Sequence, residues 1–318
     1  MTNGVPSRGG STTGVVVLGP TASGKSDVAM ALATAAGRIE RFEIVAVDAM
    51  QVYRGMDIGT AKPSPVDQAL VPHHGIDLVD PTADFAVAEY VGVADPAIDD
   101  VRRRGAIPIL VGGTGLYLRA LTDPMEIPGT WPDVRAELEQ RAGREPIAAL
   151  HAELVALDPA AAAKMEPSNA RRIVRALEVC IGSGRPFSSF GPGLDAYPPI
   201  ELLQIGLRWG RPELAARIEQ RVHRMMDAGL LDEVTSLREQ FPVWSRTASQ
   251  ALGYKELLEH LDGLVSLDEA VATVVQRTRQ FAVRQERWFR RDPRIQWVDI
   301  HDDPVAEVLP VIGSALGR

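Results

Sequence analysis

An eight-residue segment from Gly19 to Ser26 has the composition of a phosphate-binding loop. It matches the pattern G-x-x-x-x-G-K-[ST] throughout, and its residues are Gly19, Pro20, Thr21, Ala22, Ser23, Gly24, Lys25 and Ser26. Glycines let backbone N–H groups approach phosphate oxygens, and a helix starting at the loop adds unpaired donors and the positive end of its dipole. Lys25 would place a charge on the outer phosphates, and Ser26 could ligate Mg²⁺. The segment predicts a phosphate or diphosphate site, without saying which.

A single carboxylate, Asp48, directly follows the apolar run Ile44–Val47, which we interpret as a buried strand. Ligands of open α/β sheets bind beyond the carboxyl ends of the strands. We therefore expect Asp48 to lie near Gly19–Ser26. Its role could be that of a carboxylate near Mg²⁺, a general base or a helix N-cap.

The phosphate loop alone leaves phosphoryl transfer as the default chemistry. A GTPase is disfavoured, because neither of the two asparagines, Asn3 and Asn169, precedes a lysine, and no Asp-x-x-Gly switch occurs. A small-molecule kinase stays open on this basis.

The elements needed to position these residues follow an α/β pattern. Strands are predicted over Val15–Leu18, Ile44–Val47 and Ile107–Val111, and a helix over Gly24–Ala36. Strands that alternate with helical stretches predict a parallel sheet with right-handed crossovers. Further predicted elements are strands over Leu202–Leu207 and Ile295–Ile300 and helices near 211–228, 231–239, 247–261 and 267–290.

The domain organisation is predicted from where strand patterns occur. The segment 123–199 has none and is expected to be a helical insertion domain, whereas 15–122 and 200–318 form the α/β core. Residues 1–14 are polar, lack the apolar core of a signal peptide and are expected to be a disordered leader.

Composition fits a folded globular protein and excludes several classes. Of 318 residues, 45% are hydrophobic and 24% are charged, which argues against a disordered, collagen-like or disulfide-framework chain. A single cysteine, Cys180, cannot form an internal disulfide and indicates a reducing compartment. No apolar run reaches the ~18 residues of a membrane span.

Positive charge is concentrated locally, although the net charge is −8. Between Gln276 and Arg291 there are six arginines and one acid, Glu286. Two further clusters consist of Arg171, Arg172 and Arg175, and of five arginines between Arg208 and Arg224. The overall charge argues against a general nucleic-acid coat protein, whereas the clusters raise the prospect of one polyanionic partner.

Eight segments, spread in order over nearly the whole chain, resemble the tRNA isopentenyltransferase family of bacterial type. Only the phosphate loop is specific by itself, but together the segments are highly specific. They are Gly19–Ser26, Asp48–Pro63, His73–Asp77, Val111–Tyr117, Asn169–Val179, Arg221–Val234, Gly253–Glu256 and Arg284–Arg290.

The resemblance implies an RNA-binding prenyltransferase that acts in tRNA processing. Its members transfer a dimethylallyl group from dimethylallyl diphosphate to N6 of the adenosine just 3′ of the anticodon, typically in tRNAs that read UNN codons. The implied fold is a P-loop NTPase-like sheet domain with a helical insertion that grips the anticodon arm and a helical C-terminal part. Mg²⁺ assists, and the nucleotide-binding type of loop serves a diphosphate leaving group instead of ATP hydrolysis. A cytoplasmic monomer is expected.

Roles for individual residues also follow from the resemblance. Asp48 is the expected base for the N6 proton, Arg221 is expected to stabilise the departing diphosphate, and Thr114 lies near the reacting atoms together with Thr21. Ser26 is the expected metal ligand. One departure is Ala49, where relatives often carry serine, so one hydroxyl contact is expected to be missing. The expected tRNA contacts are Asp48, Ala49, Met50, Gln51, Thr114, Arg171, Arg172, Arg175, Gln250, Gly253, Tyr254 and Lys255.

Three rival functions remain beside the resemblance. The first is a prenyltransferase acting on free AMP or ADP, which would have no need for the arginine clusters and the long C-terminal helices. The second is a P-loop kinase of a small metabolite. The third is a non-catalytic RNA-binding protein, which loss of Lys25 or Asp48 would have favoured; both are present.

Overall fold

The computed structural model describes residues 13–35, 41–191 and 193–317. The chain divides into two compact units: one runs up to Thr122 and resumes at Pro199, and the other is Asp123–Pro198. Most of the expected leader, residues 1–12, lies outside the described residues. Its last residue, Gly14, is instead the first residue of a strand, because it pairs with Leu202.

The first unit is built on a parallel sheet, as predicted. Within the described residues the sheet has six strands in the order β3-β2-β4-β1-β5-β6, all parallel. Only β3 has no counterpart among the predicted strands, since it is two histidines long. The strands are β1 Gly14–Leu18, β2 Phe42–Val47, β3 His73–His74, β4 Ile107–Gly112, β5 Leu202–Trp209 and β6 Gln296–Ile300.

Helices follow most of the strands and make up the second unit. Helices α5–α8 belong to Asp123–Pro198, and the others belong to the first unit. In chain order they are α1 Lys25–Thr34, α2 Pro65–Leu70, α3 Val87–Arg103, α4 Gly115–Thr122, α5 Pro132–Arg144, α6 Ile147–Leu157, α7 Pro159–Ala162, α8 Ala170–Ser183, α9 Arg211–Asp227, α10 Leu230–Gln240, α11 Tyr254–Leu261, α12 Leu267–Phe289 and α13 Pro304–Ala315.

The sheet is buried on both faces, which explains its continuous apolar strands. Along β1, Val16 and Leu18 face one hydrophobic core, whereas Val15 and Val17 face the other. Helices α3, α4, α10 and α11 contribute to the first core, and α1 and α13 contribute to the second. With both faces covered, the carboxyl ends of the strands are left as the place for a ligand.

The predicted helix over 247–261 is interrupted. A short 3₁₀ turn covers Ala248–Gln250, and α11 begins only at Tyr254. Gly253 causes the break, because its φ of 91° lies in the left-handed region and its N–H donates to Glu256 across the start of α11. None of the described helices combines the length and apolar character that a membrane crossing requires.

Candidate active site

Three loops leave the sheet together at the carboxyl ends of neighbouring strands. In the hydrogen-bonded register, Val47 of β2 pairs with Gly112 of β4, and Gly112 pairs with Leu18 of β1. The residues that follow are Asp48, Gly113 and Gly19. Strand order therefore brings the carboxylate, the loop that carries Thr114 and the glycine-rich segment to one edge.

The glycine-rich loop is held by side chains that bind its carbonyl groups. Lys25 Nζ donates to Pro20 O at 2.7 Å, Arg217 Nε to Ala22 O at 3.0 Å, and Trp209 Nε1 to Ser23 O at 3.0 Å. Ala22 and Gly24 have φ values of 62° and 94°. With its carbonyls engaged and the first N–H groups of α1 unpaired, the loop presents donors to an anion.

Two cations lie close together beside this loop. Burial and the neighbouring Arg221 guanidinium lower the pKa of Lys25 to about 7, against the opposing effect of Asp48. Burial also lowers the pKa of Arg221, and Asp48 and Asp27 oppose that shift. Neither cation forms an ion pair within the described residues. Such a site favours a multiply charged anion, which would satisfy both groups at once.

The Asp48 carboxylate is held in one orientation by the backbone that follows it. Its Oδ1 atom accepts from Met50 N–H at 2.8 Å and from Gln51 N–H at 3.3 Å, which forms a side-chain turn. Asp48 is not a helix N-cap, because the next helix along the chain, α2, begins only at Pro65. Within the described residues Oδ2 accepts no hydrogen bond and is available for a substrate. One carboxylate oxygen therefore holds the local turn, and the other is free.

Two buried tyrosines, Tyr90 and Tyr117, lie near the Asp48 carboxylate. Tyr90 OH donates to Ala46 O at 2.8 Å, and the rings of Tyr90 and Tyr117 lie 5.0 Å apart. Burial is the main cause that raises the pKa of both hydroxyls, with Asp48 adding to it, and Tyr117 reaches about 12. Both tyrosines are neutral at physiological pH, so they are not candidates for a base.

Three hydroxyl groups at this edge make no hydrogen bond within the described residues. Ser23 Oγ is fully buried without a partner. Thr21 and Thr114 are half-buried, on the glycine-rich loop and on the loop after β4. Of the three, only the buried Ser23 hydroxyl is costly without a partner, and a polar ligand bound between these loops would complete it.

The loop after Asp48 is fixed by two polar side chains, the buried Lys62 and the half-buried Glu233. Lys62 Nζ donates to Tyr53 O, Asp57 Oδ1 and Asp77 Oδ1 at 2.5–2.8 Å. The Glu233 carboxylate on α10 accepts the N–H groups of three successive residues, 57–59, and the hydroxyl of Tyr254. This loop is thereby a rigid support for Asp48 and Gln51.

The first-unit residues expected to bind tRNA differ in what they present. Ala49 and Met50 are half-buried against the core, and Gln51 Nε2 donates to Thr60 O and Ala61 O. Gln250, in the 3₁₀ turn before α11, is exposed, and its Oε1 accepts a hydrogen bond from Nζ of Lys255 in α11.

Tyr254, one of the expected RNA contacts, makes its side-chain contacts inside the protein. Its side chain is fully buried, and its hydroxyl donates to Glu233 at 2.6 Å. Gly253 beside it is also buried. Both residues hold the start of α11 in place and offer no side chain to a partner.

In the second unit, the arginines of α8 divide into exposed and internal residues. Arg171 and Arg172 are exposed, and their guanidinium groups make no ion pair within the described residues. Arg175 instead lies beside the fully buried Glu178 at 2.9 Å and donates to Pro128 O and Gly129 O. Its geometry favours a structural role, whereas Arg171 and Arg172 can reach a phosphate.

A metal at this edge would depend on the ligand for most of its oxygens. The described residues hold no group of three His, Cys, Asp or Glu side chains that could bind a metal ion. Ser26 is exposed at the start of α1 and adjoins Asp27. A hydroxyl and a nearby carboxylate fit Mg²⁺, which usually keeps waters and binds through substrate phosphates. His73 and His74 are otherwise engaged, with Val71 O and Glu43.

Sequence reasoning missed several residues that shape the site. Trp209 has no local motif that marks it. Arg217 was noted only as a member of an arginine cluster, and Glu233 only as part of the segment Arg221–Val234. Gln285 lies in a segment noted for its resemblance, but without a role; its side chain bridges Thr21 and Gly113. The partners of all four are far away in the chain, so only the fold shows them.

Comparisons with known proteins agree on one family. Residues 51–292 match the family model described as IPP transferase. The tRNA dimethylallyltransferase of Streptomyces coelicolor is 50% identical over 284 residues, 89% of each chain. The structure of the full-length tRNA isopentenylpyrophosphate transferase from Bacillus halodurans is 37% identical with a TM-score of 0.67, covering 96% of this chain and 97% of that one. A eukaryotic dimethylallyltransferase acting on tRNA is 27% identical with a TM-score of 0.77, covering 95% and 78%.

Proposed function

Since the chain belongs to the IPP transferase family of tRNA dimethylallyltransferases, we propose that it prenylates N6 of the adenosine on the 3′ side of the anticodon. Transfer of a dimethylallyl group to tRNA is the family's reaction. The finer parts of the proposal are the donor, dimethylallyl diphosphate, the position of the base, and the choice of tRNAs that read UNN codons.

The observation that carries this function is that two cations, Lys25 and Arg221, lie beside the oriented Asp48 carboxylate. Neither cation has an ion-pair partner among the described residues. Lys25 and Arg221 suit a diphosphate that gains negative charge as it leaves. Asp48 follows β2, which is separated from β1 by β4 alone, and its carboxylate is suited to accept a proton. An acid–base residue next to a diphosphate site favours group transfer over simple nucleotide binding.

The proposed reaction is a substitution at the first carbon of the dimethylallyl group. The bond between that carbon and the diphosphate oxygen breaks, and its electron pair leaves with the diphosphate. The N6 nitrogen of adenosine bonds to the carbon, and its proton passes to Oδ2 of Asp48. Because the lone pair of N6 is delocalised into the ring, removal of the proton as the bond forms lowers the barrier.

Diphosphate departure is assigned to the loop after β1. The N–H groups at the start of α1, Lys25 Nζ and the Arg221 guanidinium would hold the phosphate oxygens. When bound, Mg²⁺ supplies further positive charge at the leaving group. Ser26 is the residue we assign to it.

The acceptor side of the proposal includes residues of both units. Asp48, Gln51 and Thr114 would contact the target adenosine, which must leave its stack to reach Asp48. Gln250 and Lys255 would bind the RNA from the first unit, and the insertion would grip the anticodon arm through Arg171 and Arg172. Because tRNA is the acceptor, we place the reaction in the cytoplasm. We also propose that the protein is a monomer, which size-exclusion chromatography with light scattering would test.

Nucleoside mass spectrometry tests this function. Purified protein is incubated with dimethylallyl diphosphate, Mg²⁺ and unmodified tRNA with adenosines at the third anticodon position and just after it, with AMP and ATP offered in parallel. Prenylated adenosine at the second of those tRNA positions is the expected product. Prenylated AMP would favour the free-nucleotide rival, and no product from any acceptor would favour phosphoryl transfer.

Removal of either exposed arginine of α8 should weaken tRNA binding. An arginine that neutralises one phosphate contributes about one to the slope of log Kd against log salt concentration. We expect Arg171→Ala and Arg172→Ala to raise the Kd for tRNA and flatten its salt dependence, with inorganic diphosphate binding unchanged. Arg185→Ala is the matched control in the same unit, since Arg185 is already paired with Glu126. Equal affinities and slopes in all three variants would remove these arginines from the RNA surface.

Diphosphate binding should depend on pH through Lys25. With a pKa of about 7 in the free protein, Lys25 is charged at pH 6 and mostly neutral at pH 8. Bound diphosphate favours the charged form, so above pH 7 binding takes up a proton and affinity falls by up to ~tenfold per pH unit.

Calorimetry with inorganic diphosphate in buffers of different ionisation enthalpy measures that proton. Lys25→Arg is the matched variant, because arginine keeps its charge and takes up no proton over this range. The wild type should take up close to one more proton than Lys25→Arg at pH 8 and the same number at pH 6. Identical uptake at pH 8 would contradict the prediction.

A further inference from the structure

The side chain of Gln285 is buried between two of the three loops at the active edge. It projects from α12 and is 7% exposed. Its Oε1 accepts from Thr21 N–H at 2.8 Å, and its Nε2 donates to Gly113 O at 2.9 Å. One carboxamide therefore joins the loop after β1 to the loop after β4.

On the β1 side, Gln285 is linked to Lys25 through a single peptide group. The peptide between Pro20 and Thr21 donates its N–H to Gln285, and its carbonyl accepts from Lys25 Nζ at 2.7 Å. Consecutive hydrogen bonds of this kind polarise and strengthen one another. The peptide that orients Thr21 also orients the cation.

On the β4 side, Gln285 fixes the peptide that leads into Thr114. Gly113 O belongs to the same peptide plane as the Thr114 nitrogen, so the bond from Nε2 sets the direction in which Thr114 leaves the strand. A Cβ atom at Gly113 would lie 2.3 Å from Gln285 Nε2, which no side chain could do without displacing the carboxamide. The pair is closely fitted.

We propose that Gln285 is a positioning residue for the transfer reaction, holding Lys25 and Thr21 in register with Thr114. The inference rests on the proposed function and deepens it, because it concerns how the donor and acceptor sides of the site are kept at a working distance. Gln285 itself touches neither substrate; it acts through Thr21 and Gly113.

Only a group that accepts at one end and donates at the other can make both bonds. An ionised glutamate accepts from Thr21 N–H, but it cannot donate to Gly113 O and places two acceptors against each other. A protonated glutamate can accept and donate as glutamine does. Methionine fills a similar volume and makes neither bond. These differences separate the polarity of the side chain from its packing.

The test compares Gln285→Glu and Gln285→Met with Gln276→Glu, which changes an exposed residue of the same helix. Steady-state transfer gives kcat and KM, calorimetry gives the Kd for inorganic diphosphate, filter binding gives the Kd for tRNA, and circular dichroism gives the folded fraction. The pH profile of kcat is measured for each variant relative to the wild type.

For Gln285→Met we expect kcat to fall by about tenfold to 100-fold, as is typical of small misplacements of reacting groups, with diphosphate binding weakened and tRNA affinity unchanged. For Gln285→Glu the ratio of its kcat to that of the wild type should rise as the pH is lowered, because protonation restores the donor. Gln276→Glu should match the wild type throughout. A purely structural role would lower the folded fraction but leave the pH-dependent ratio flat.

Two outcomes overturn the assignment, and another concerns the function alone. Folded Gln285→Met with wild-type kcat and diphosphate affinity would remove Gln285 from the machinery. A ratio of the Gln285→Glu kcat to the wild-type kcat that does not change with pH would also remove it. A wild-type protein that prenylates no tRNA would overturn the proposed function, in which case diphosphate binding by Gln285→Met still decides whether Gln285 holds the loop.

Discussion

Asp48→Asn is expected to lower kcat for tRNA prenylation by about 100- to 10,000-fold, the range that general-base catalysis contributes. Asparagine keeps the oxygen that accepts from Met50 and Gln51 N–H, so the turn after β2 should stay intact. What it loses is the charged Oδ2 that we assign to the N6 proton. Single-turnover transfer with saturating tRNA measures the loss directly.

The controls for this experiment separate catalysis from binding and folding. The Kd for tRNA should change little, because the substitution is isosteric. Asp84→Asn, at an exposed aspartate of the first unit, should behave as the wild type. Transfer by Asp48→Asn at a rate close to the wild type would exclude Asp48 as the base and leave it only the role of holding the turn after β2.

Lys25→Met is expected to lower kcat by about 100- to 1,000-fold, the loss typical when one group that stabilises developing charge is removed. The lysine uses one N–H on Pro20 O, which leaves two for diphosphate oxygens. Its removal also leaves Arg221 as the remaining cation of the pair, so the Kd for inorganic diphosphate should rise by about tenfold or more.

Lys25→Met should spare tRNA binding, because the change lies on the donor side of the site. Arg103→Met removes one positive charge from an exposed position of α3 and serves as the matched control. Stopped-flow or rapid-quench transfer gives kcat, and calorimetry gives the diphosphate Kd. If Lys25→Met and Arg103→Met had the same kcat, the loop after β1 would not be the diphosphate site.

The sheet and its helices were predictable because their patterns are local. β1, β2, β4 and β5 are short apolar runs, and the phosphate loop and α1 follow from an uninterrupted motif. The helix predicted over 247–261 was wrong in its first half, because a left-handed Gly253 starts α11 later. The two-residue β3 is too short to leave a pattern and depends on pairing with β2.

By itself, the sequence determined which reactive groups are present: the phosphate loop Gly19–Ser26 with Lys25, and Asp48 at the end of a strand. Tertiary structure alone decided which groups meet. Gln285 reaches Thr21 across 264 residues of chain, and Arg217 reaches Ala22 across 195. It also decided that Tyr254 is buried against Glu233 and that Arg175 lies beside Glu178, while Arg171 and Arg172 stay exposed. Residue type and spacing set local conformation, but long-range contacts depend on strand order and helix packing, which no local pattern encodes.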